Sequence, residues 1–98
     1  MEITVNQNGT DLTLTPIGRL DTTTAPQLQT TINENIRDVT DLTFDLSKLV
    51  YLSSAGLRVL MNAQKTMKQQ GKMRITHVNE DIMDIFEMTG LTDVFRFE

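Results

Sequence analysis

The stretch Asp45–Met61 has the sequence DLSKLVYLSSAGLRVLM, and the spacing of its apolar residues changes part-way along. Around its start, apolar residues alternate with polar ones over Leu42–Leu46, which predicts a strand with one buried face. From Ser54 onward the apolar residues follow helical spacing, which predicts an amphipathic helix that ends at Gly71. Ser47–Ser53 is expected to connect the two elements. A strand that leads into a helix is half of a βαβ unit, so the stretch predicts an α/β fold.

A hairpin precedes this unit in the predicted fold. Apolar residues alternate with polar ones around residues 3–5 and again around residues 12–14. Asn8-Gly9 lies between the two segments, and such a pair favours a tight turn because glycine tolerates positive φ. The second strand of the hairpin is predicted to continue toward Leu20.

Two more helices and two more strands complete the predicted order. Helical spacing over residues 24–36 predicts a helix that begins with a capping box at Thr24–Gln27. Alternation over Met73–His77 predicts a fourth strand, and Asn79 is suited to cap the helix that follows. A last short strand is expected at Val94–Phe97. The order β-β-α-β-α-β-α-β predicts a mixed, mostly parallel sheet of about five strands with three or more helices.

Length and charge restrict the class of protein. The 98 residues are expected to form one domain, residues 1–98, and the formal net charge of -4 argues against nucleic acid and anionic membranes as partners. The absence of cysteine excludes disulfides, thiolate catalysis and Cys-ligated zinc. The longest apolar run, Leu49–Leu52, is far shorter than the roughly 20 residues of a membrane span, and no signal peptide is visible. We therefore expect a cytoplasmic protein that is monomeric when free.

Three segments are predicted to meet at one edge of the sheet. The carboxyl ends of parallel strands open onto the same edge, where ligands and partners bind in many α/β proteins. Asp21–Thr24 follows the second predicted strand, Leu52–Gly56 the third and His77–Asp81 the fourth. The topology therefore predicts a functional surface there, without indicating what binds.

Several kinds of catalytic site are excluded at this edge. The serines do not form the G-x-S-x-G elbow of hydrolases, because Leu52 stands where that elbow has its first glycine. The single histidine, His77, is expected to be a half-buried strand residue and not a catalytic base. The chain has no phosphate-binding glycine motif and no metal-ligand spacing. The sequence therefore predicts a protein that is not an enzyme and uses no cofactor or metal.

The adjacent serines, Ser53 and Ser54, are the remaining candidates for a functional group. One hydroxyl suffices to cap a helix, which stabilises it by about 1 kcal/mol. Gly56, which follows Ala55, is unfavourable inside a helix by up to about 1 kcal/mol, so it indicates close approach by a partner. The positive end of the helix would tolerate a phosphate, but a partner docked over it would not. The residues alone leave a helix cap and a regulated site both open.

Three blocks of the sequence resemble the STAS family of bacterial anti-sigma factor antagonists. Gly18–Asp21, GRLD, resembles the Gly-x-Leu/Val-Asp of that family. Asp45–Met61 resembles its strand–loop–helix segment, and Met88–Phe97, MTGLTDVFRF, resembles its Gly-Leu ending. The resemblance covers nearly the whole chain, and Asp45–Met61 is its most specific part. It implies a STAS-like fold.

The resemblance also implies a function. Such proteins bind an anti-sigma factor, usually a serine kinase, and so release a sigma factor. The kinase inactivates them by phosphorylating a serine that matches Ser54, and a PP2C-type phosphatase restores binding. The family often has aspartate before the acceptor, whereas this chain has Ser53, which is the alternative acceptor. Asp21 is expected to lie near Ser54 and to contact the partner.

The resemblance and the predicted sheet edge together define an expected partner-binding surface. Its residues are Asp21, Thr22, Thr23, Ser53, Ser54, Ala55, Gly56 and Arg58. One alternative is a STAS module that binds partners without phosphorylation within a larger signalling assembly. Another is a domain that binds nucleotides or anions weakly at its helix N-termini.

Overall fold

Five strands and three helices follow one another in the computed structural model, which describes residues 1–98. The strands are β1 (Glu2–Asn8), β2 (Asp11–Leu20), β3 (Asp41–Asp45), β4 (Leu49–Leu52) and β5 (Lys72–Thr76). The helices are α1 (Ala25–Asn35), α2 (Ser54–Gln70) and α3 (Glu80–Met88). None of the helices combines the length and the apolarity that crossing a membrane requires.

The long strand β2 is the centre of the sheet. It pairs with β1 in an antiparallel hairpin along one side. Along its other side, Asp11–Leu14 pairs with β3, and Gly18–Leu20 pairs with β4 after a shift in register. Strand β5 pairs with the far side of β3, and all pairs except the hairpin are parallel. The predicted α/β class, with a mixed and mostly parallel sheet of five strands, is confirmed.

The N-terminal hairpin is confirmed, with its turn one residue further along. Asn8 pairs with Asp11, so the two turn residues are Gly9 and Thr10. Gly9 has a φ of 64°, in the left-handed region that favours glycine. The Asn-Gly pair therefore predicted the hairpin correctly, although Asn8 is still part of the strand.

Strand β4 is a correction to the predicted order. We expected Ser47–Ser53 to connect the third strand to the helix without a strand of its own, but Leu49–Leu52 pairs with the end of β2. Its two leucines are buried, whereas Val50 and Tyr51 between them are exposed. This pattern does not alternate with a period of two, which is why periodicity did not reveal the strand.

The C-terminal segment is a second correction. Val94–Phe97 is not a strand, because only one parallel bridge forms, between Ile75 and Phe97. The Ile75 amide donates to the Arg96 carbonyl at 2.8 Å, and the Glu98 amide donates to the Ile75 carbonyl at 2.9 Å. The observed order is therefore β-β-α-β-β-α-β-α.

The core is a single cluster of 22 buried apolar side chains that all three helices share with the sheet. The predicted inner face of α2 is buried, and it includes Val59, Leu60, Ala63 and Met67. Helix α1 packs against α2, while α3 packs against β4. This packing places the N-terminus of α2 directly after β4, at the end of the central strand.

Candidate functional site

Strands β2 and β4 end side by side and bring two of the predicted segments together. Leu20 and Leu52 are paired, and the Ser53 amide donates to the Leu20 carbonyl at 2.9 Å. Asp21 follows Leu20, so its loop lies beside the serines at the start of α2. The serines follow β4, and not the third strand as predicted.

The third predicted segment lies elsewhere, which corrects the expectation of one common edge. Leu14 pairs with Phe44 near the end of β3, and β2 then continues through residues 15–20, about 20 Å further. Strand β5 ends level with β3, because Thr76 pairs with Asp45. His77–Asp81 therefore lies near the start of β4, far from the end of β2. The Asn79 side chain donates to the Leu49 carbonyl there, at 3.2 Å.

His77 is exposed and lies outside the strand, contrary to the predicted half-buried strand position. Its φ of 57° lies in the left-handed region, outside the range of a strand. The Nδ1 atom lies 3.4 Å from a carboxylate oxygen of Asp45. Burial alone would raise the pKa of Asp45, but hydrogen bonds from Ser47 and the charge of protonated His77 hold it below its ordinary value.

The Asp21 loop is organised by one carboxylate oxygen. Asp21 Oδ1 accepts hydrogen bonds from the Thr23 hydroxyl at 2.7 Å, the Thr23 amide at 3.0 Å and the Thr24 amide at 3.1 Å. These bonds, the Thr23 hydroxyl first, lower the pKa of Asp21 although partial desolvation opposes them. Asp21 is therefore ionised at neutral pH and held in a defined position.

The predicted capping box at Thr24–Gln27 does not form. The Thr24 hydroxyl accepts from the Asp21 amide and donates to the Arg19 carbonyl, both at 2.8 Å, so it closes the Asp21 loop. No side chain caps α1. Thr24 thus stabilises the loop that precedes the helix.

The two serines of α2 have different environments. Ser53 is the N-cap residue, and its hydroxyl accepts from the Gly56 amide at 3.3 Å. Ser54 is the first residue of the helix and is exposed. Its hydroxyl forms no hydrogen bond with another group of the protein. Ser54 is therefore accessible, whereas the Ser53 hydroxyl is hydrogen-bonded to the Gly56 amide.

Gly56 belongs to the core and not to the partner-binding surface, which corrects its predicted position. It is buried, and a Cβ at this position would lie 2.7 Å from Leu20 Cγ and 2.8 Å from Leu52 Cδ1. The close approach that requires glycine is therefore internal. Of its neighbours, Ala55 is half-buried and Arg58 is exposed.

Three residues beside this site were not predicted. Val50 and Tyr51 project from β4, with 67% and 37% of their surface exposed. The Arg19 guanidinium stacks 4.3 Å from the centre of the Tyr51 ring and lies 3.9 Å from Asp21 Oδ2. The signal in the sequence was the uninterrupted apolar run Leu49–Leu52, since a strand with one buried face must expose part of such a run.

A model of the STAS domain matches residues 2–98 of the chain. The chain belongs to the STAS family. The resemblance seen in the three sequence blocks is thereby confirmed, and it extends over the whole fold. This STAS domain presents the Asp21 loop and the N-terminus of α2 side by side on its surface.

Relatives of this STAS domain are named for the regulation of sigma factors. An anti-sigma-B factor antagonist of Bacillus subtilis is 28% identical over 96% of this chain and 87% of its own length. An anti-sigma factor antagonist of Mycobacterium paratuberculosis has the same fold, with a TM-score of 0.88 and 23% sequence identity. The superposition covers 98% of this chain and 83% of that protein. The phosphorylated form of SpoIIAA, a Bacillus cell fate determinant, superposes with a TM-score of 0.76 and 15% sequence identity. That superposition covers 99% of this chain and 91% of SpoIIAA.

Proposed function

We propose that this STAS domain is an anti-sigma factor antagonist whose binding is switched off by phosphorylation of Ser54. The observation that carries the proposal is the exposed, unengaged Ser54 hydroxyl at the N-terminus of α2, beside the ordered Asp21 loop. The Bacillus subtilis relative is an anti-sigma-B factor antagonist, and the SpoIIAA structure is of a phosphorylated protein. Both support a regulated binding surface.

The proposed partner is an anti-sigma factor that is also a serine kinase. Its binding surface consists of Asp21, Thr22, Thr23, Ser53, Ser54, Ala55 and Arg58, bordered by Arg19, Val50 and Tyr51. Exposed tyrosine and arginine side chains are frequent among the residues that dominate binding energy. Because β2 and β4 are paired up to Leu20 and Leu52, the surface is held in place before the partner arrives.

The switch is one phosphoryl transfer. The γ-phosphoryl group of ATP would pass to Ser54 Oγ, forming a P–O ester while ADP and the hydroxyl proton leave. The product carries about -1.5 to -2 charges at the positive end of α2, which the helix tolerates. A partner in contact with Ser54 meets a bulky dianion instead, so binding is lost without unfolding. A PP2C-type phosphatase would hydrolyse the ester and restore binding.

The two serines are not equivalent as acceptors. Ser53 is half-buried and its hydroxyl oxygen already accepts from the Gly56 amide, so it is less accessible to a kinase than the exposed Ser54. A phosphate on Ser54 breaks no hydrogen bond of the protein. This difference favours Ser54 over the alternative acceptor Ser53.

The acceptor is tested by incubating the purified protein with ATP and each anti-sigma kinase of its host, followed by mass spectrometry. We expect one phosphate on the wild type and on Ser53→Ala, and none on Ser54→Ala. Equal phosphorylation of Ser54→Ala would contradict the assignment.

A phosphomimetic variant tests the switch. Ser54→Asp should bind the anti-sigma factor at least about tenfold more weakly, because it places a charge where the partner docks, while its thermal unfolding is unchanged. Ser54→Asp that binds as tightly as the wild type, with no phosphate found in the protein from its host, would indicate the unphosphorylated interaction module instead.

A further inference from the structure

A groove of about 480 Å³ runs along the outer surface of α2. It begins at Ser54 and ends at Lys68, and its opposite wall is the segment after α3, from Thr89 to Val94. The fifteen helical residues from Ser54 to Lys68 span about 20 Å, or four turns. The groove is therefore elongated, and the proposed phosphorylation site lies at one end of it.

The floor of the groove is apolar. Leu57 and Met61 of α2 face Leu91 and Val94 of the opposite wall. Met61 and Val94 keep 40% and 39% of their surface exposed, although both are large apolar side chains. This apolar strip between two walls is available for contact with apolar side chains of a partner.

One rim of the groove is cationic. Arg58, Lys65 and Lys68 line it, all three are exposed, and none forms an ion pair within the protein. They lie on one side of α2, because positions seven and ten residues apart share a helix face. This concentration of positive charge stands out in a chain with a net charge of -4. An anionic partner is complementary to it.

Gln64 is a half-buried polar residue of the groove wall. Its Oε1 atom is buried without a hydrogen-bond partner. Buried polar atoms are normally paired, since leaving one unsatisfied costs about 1–3 kcal/mol.

We propose that the groove receives an acidic amphipathic helix of the anti-sigma factor. The inference rests on the proposed function and extends that binding surface from Ser54 along α2 to Lys68. Apolar side chains of the partner helix would fill the strip around Met61, and its acidic side chains would pair with Arg58, Lys65 and Lys68. A helix of three to four turns matches the length of the groove, and laying an apolar helix face into a groove is a common mode of recognition.

This arrangement gives the Ser54 phosphate a second effect. Ser54 and Arg58 are four residues apart on the helix and both line the groove, so a phosphate on Ser54 lies within reach of the Arg58 guanidinium. The phosphate would then neutralise one cation of the rim and repel the acidic side chains of the partner helix. Phosphorylation therefore opposes binding over the whole groove and not only at the serine.

The test is charge reversal at the end of the groove far from Ser54. The double variant Lys65→Glu/Lys68→Glu is compared with Lys72→Glu, a charge-reversal control at one exposed lysine of β5 that does not line the groove. Binding to the anti-sigma factor that the wild type recognises is measured by calorimetry. We expect affinity to fall at least about tenfold in the double variant and to change less than about twofold in Lys72→Glu.

The outcomes separate this inference from the proposed function. If the wild type binds and Ser54→Asp does not, but Lys65→Glu/Lys68→Glu binds as the wild type does, the groove is not part of the interface and the antagonist function stands. If the wild type binds none of the host's anti-sigma factors, the proposed function and the inference are both overturned. Binding of the fatty acid oleate, lost in the double variant while anti-sigma binding is kept, would assign the groove to a small amphiphile and overturn the helix proposal.

Discussion

Ser53 and Ser54 are adjacent in the chain and yet have different physical tasks. Ser53 has extended backbone angles, so its side chain reaches the Gly56 amide and caps α2. Ser54 is already part of the helix, is exposed, and its hydroxyl has no hydrogen-bond partner in the protein. At the same scale, Asp21 holds its own loop through three hydrogen bonds from Thr23 and Thr24. The surface thus combines ordered backbone with one free hydroxyl.

Gly56→Ala is predicted to destabilise the protein. The added methyl group would lie within 3 Å of Leu20 and Leu52, both buried, so their side chains must move. Overpacking of this kind typically costs about 1–3 kcal/mol of unfolding free energy. Urea denaturation measures the loss, with Gln69→Ala on the exposed face of α2 as the control. A Gly56→Ala protein as stable as the control variant would contradict the internal close approach.

Asp45 is predicted to contribute to acid sensitivity. Its pKa is lowered in the folded protein, so the unfolded chain takes up a proton at a higher pH than the folded protein does. The resulting stabilisation is complete above the unfolded pKa, which is about 3.9, and is lost as the pH falls through the lower folded pKa.

Urea denaturation between pH 5 and pH 2 tests this prediction. Asp45→Asn should lose less stability on acidification than the wild type, and Asp11→Asn, at an exposed aspartate with no such hydrogen bonds, should lose as much as the wild type. Equal acid sensitivity of wild type and Asp45→Asn would contradict it.

At the scale of elements, β4 and the C-terminal segment determine how the surface is built. β4 is only four residues long, yet it aligns the start of α2 with the end of β2 and presents Val50 and Tyr51 to solvent. The C-terminal segment packs against α3 through aromatic side chains. Phe86 of α3 meets Phe95 and Phe97 edge to face, with ring centres 5.5 Å and 5.0 Å apart.

Phe86→Ala is predicted to loosen α3 and the C-terminal segment together. Phe86 is fully buried, and truncating a buried phenylalanine costs about 3–5 kcal/mol. Urea denaturation should show this loss, and amide exchange should accelerate at Glu98, whose amide bonds to Ile75. Met88→Ala, at a methionine of the same helix that is 86% exposed, is the control. Unchanged exchange at Glu98 in Phe86→Ala would show that the segment is held independently of α3.

At the scale of the whole molecule, the length of β2 separates two regions that the element order alone would place together. β3 and β5 end level with one another, and His77 pairs with Asp45 there. β2 extends about 20 Å beyond that point and meets β4, where Asp21 and the serines lie.

Charge is also distributed unevenly over the whole molecule, because a cationic groove lies beside the proposed switch in a negatively charged protein. That distribution favours an acidic partner.

Local patterns in the sequence determined much of this protein. The Asn-Gly turn, the alternation in β2, β3 and β5 and the helical spacing of α1, α2 and α3 depend on neighbours within a few residues, so they predicted the α/β class. The block Asp45–Met61 likewise indicated the STAS family. Only the tertiary structure decided that Leu49–Leu52 is a strand, that Gly56 belongs to the core, and that His77 lies apart from the surface of Asp21 and Ser54. These depend on contacts between residues about thirty positions apart, since the pairing of β2 with β4 and the packing of Leu20 against Gly56 form only when the whole chain is folded.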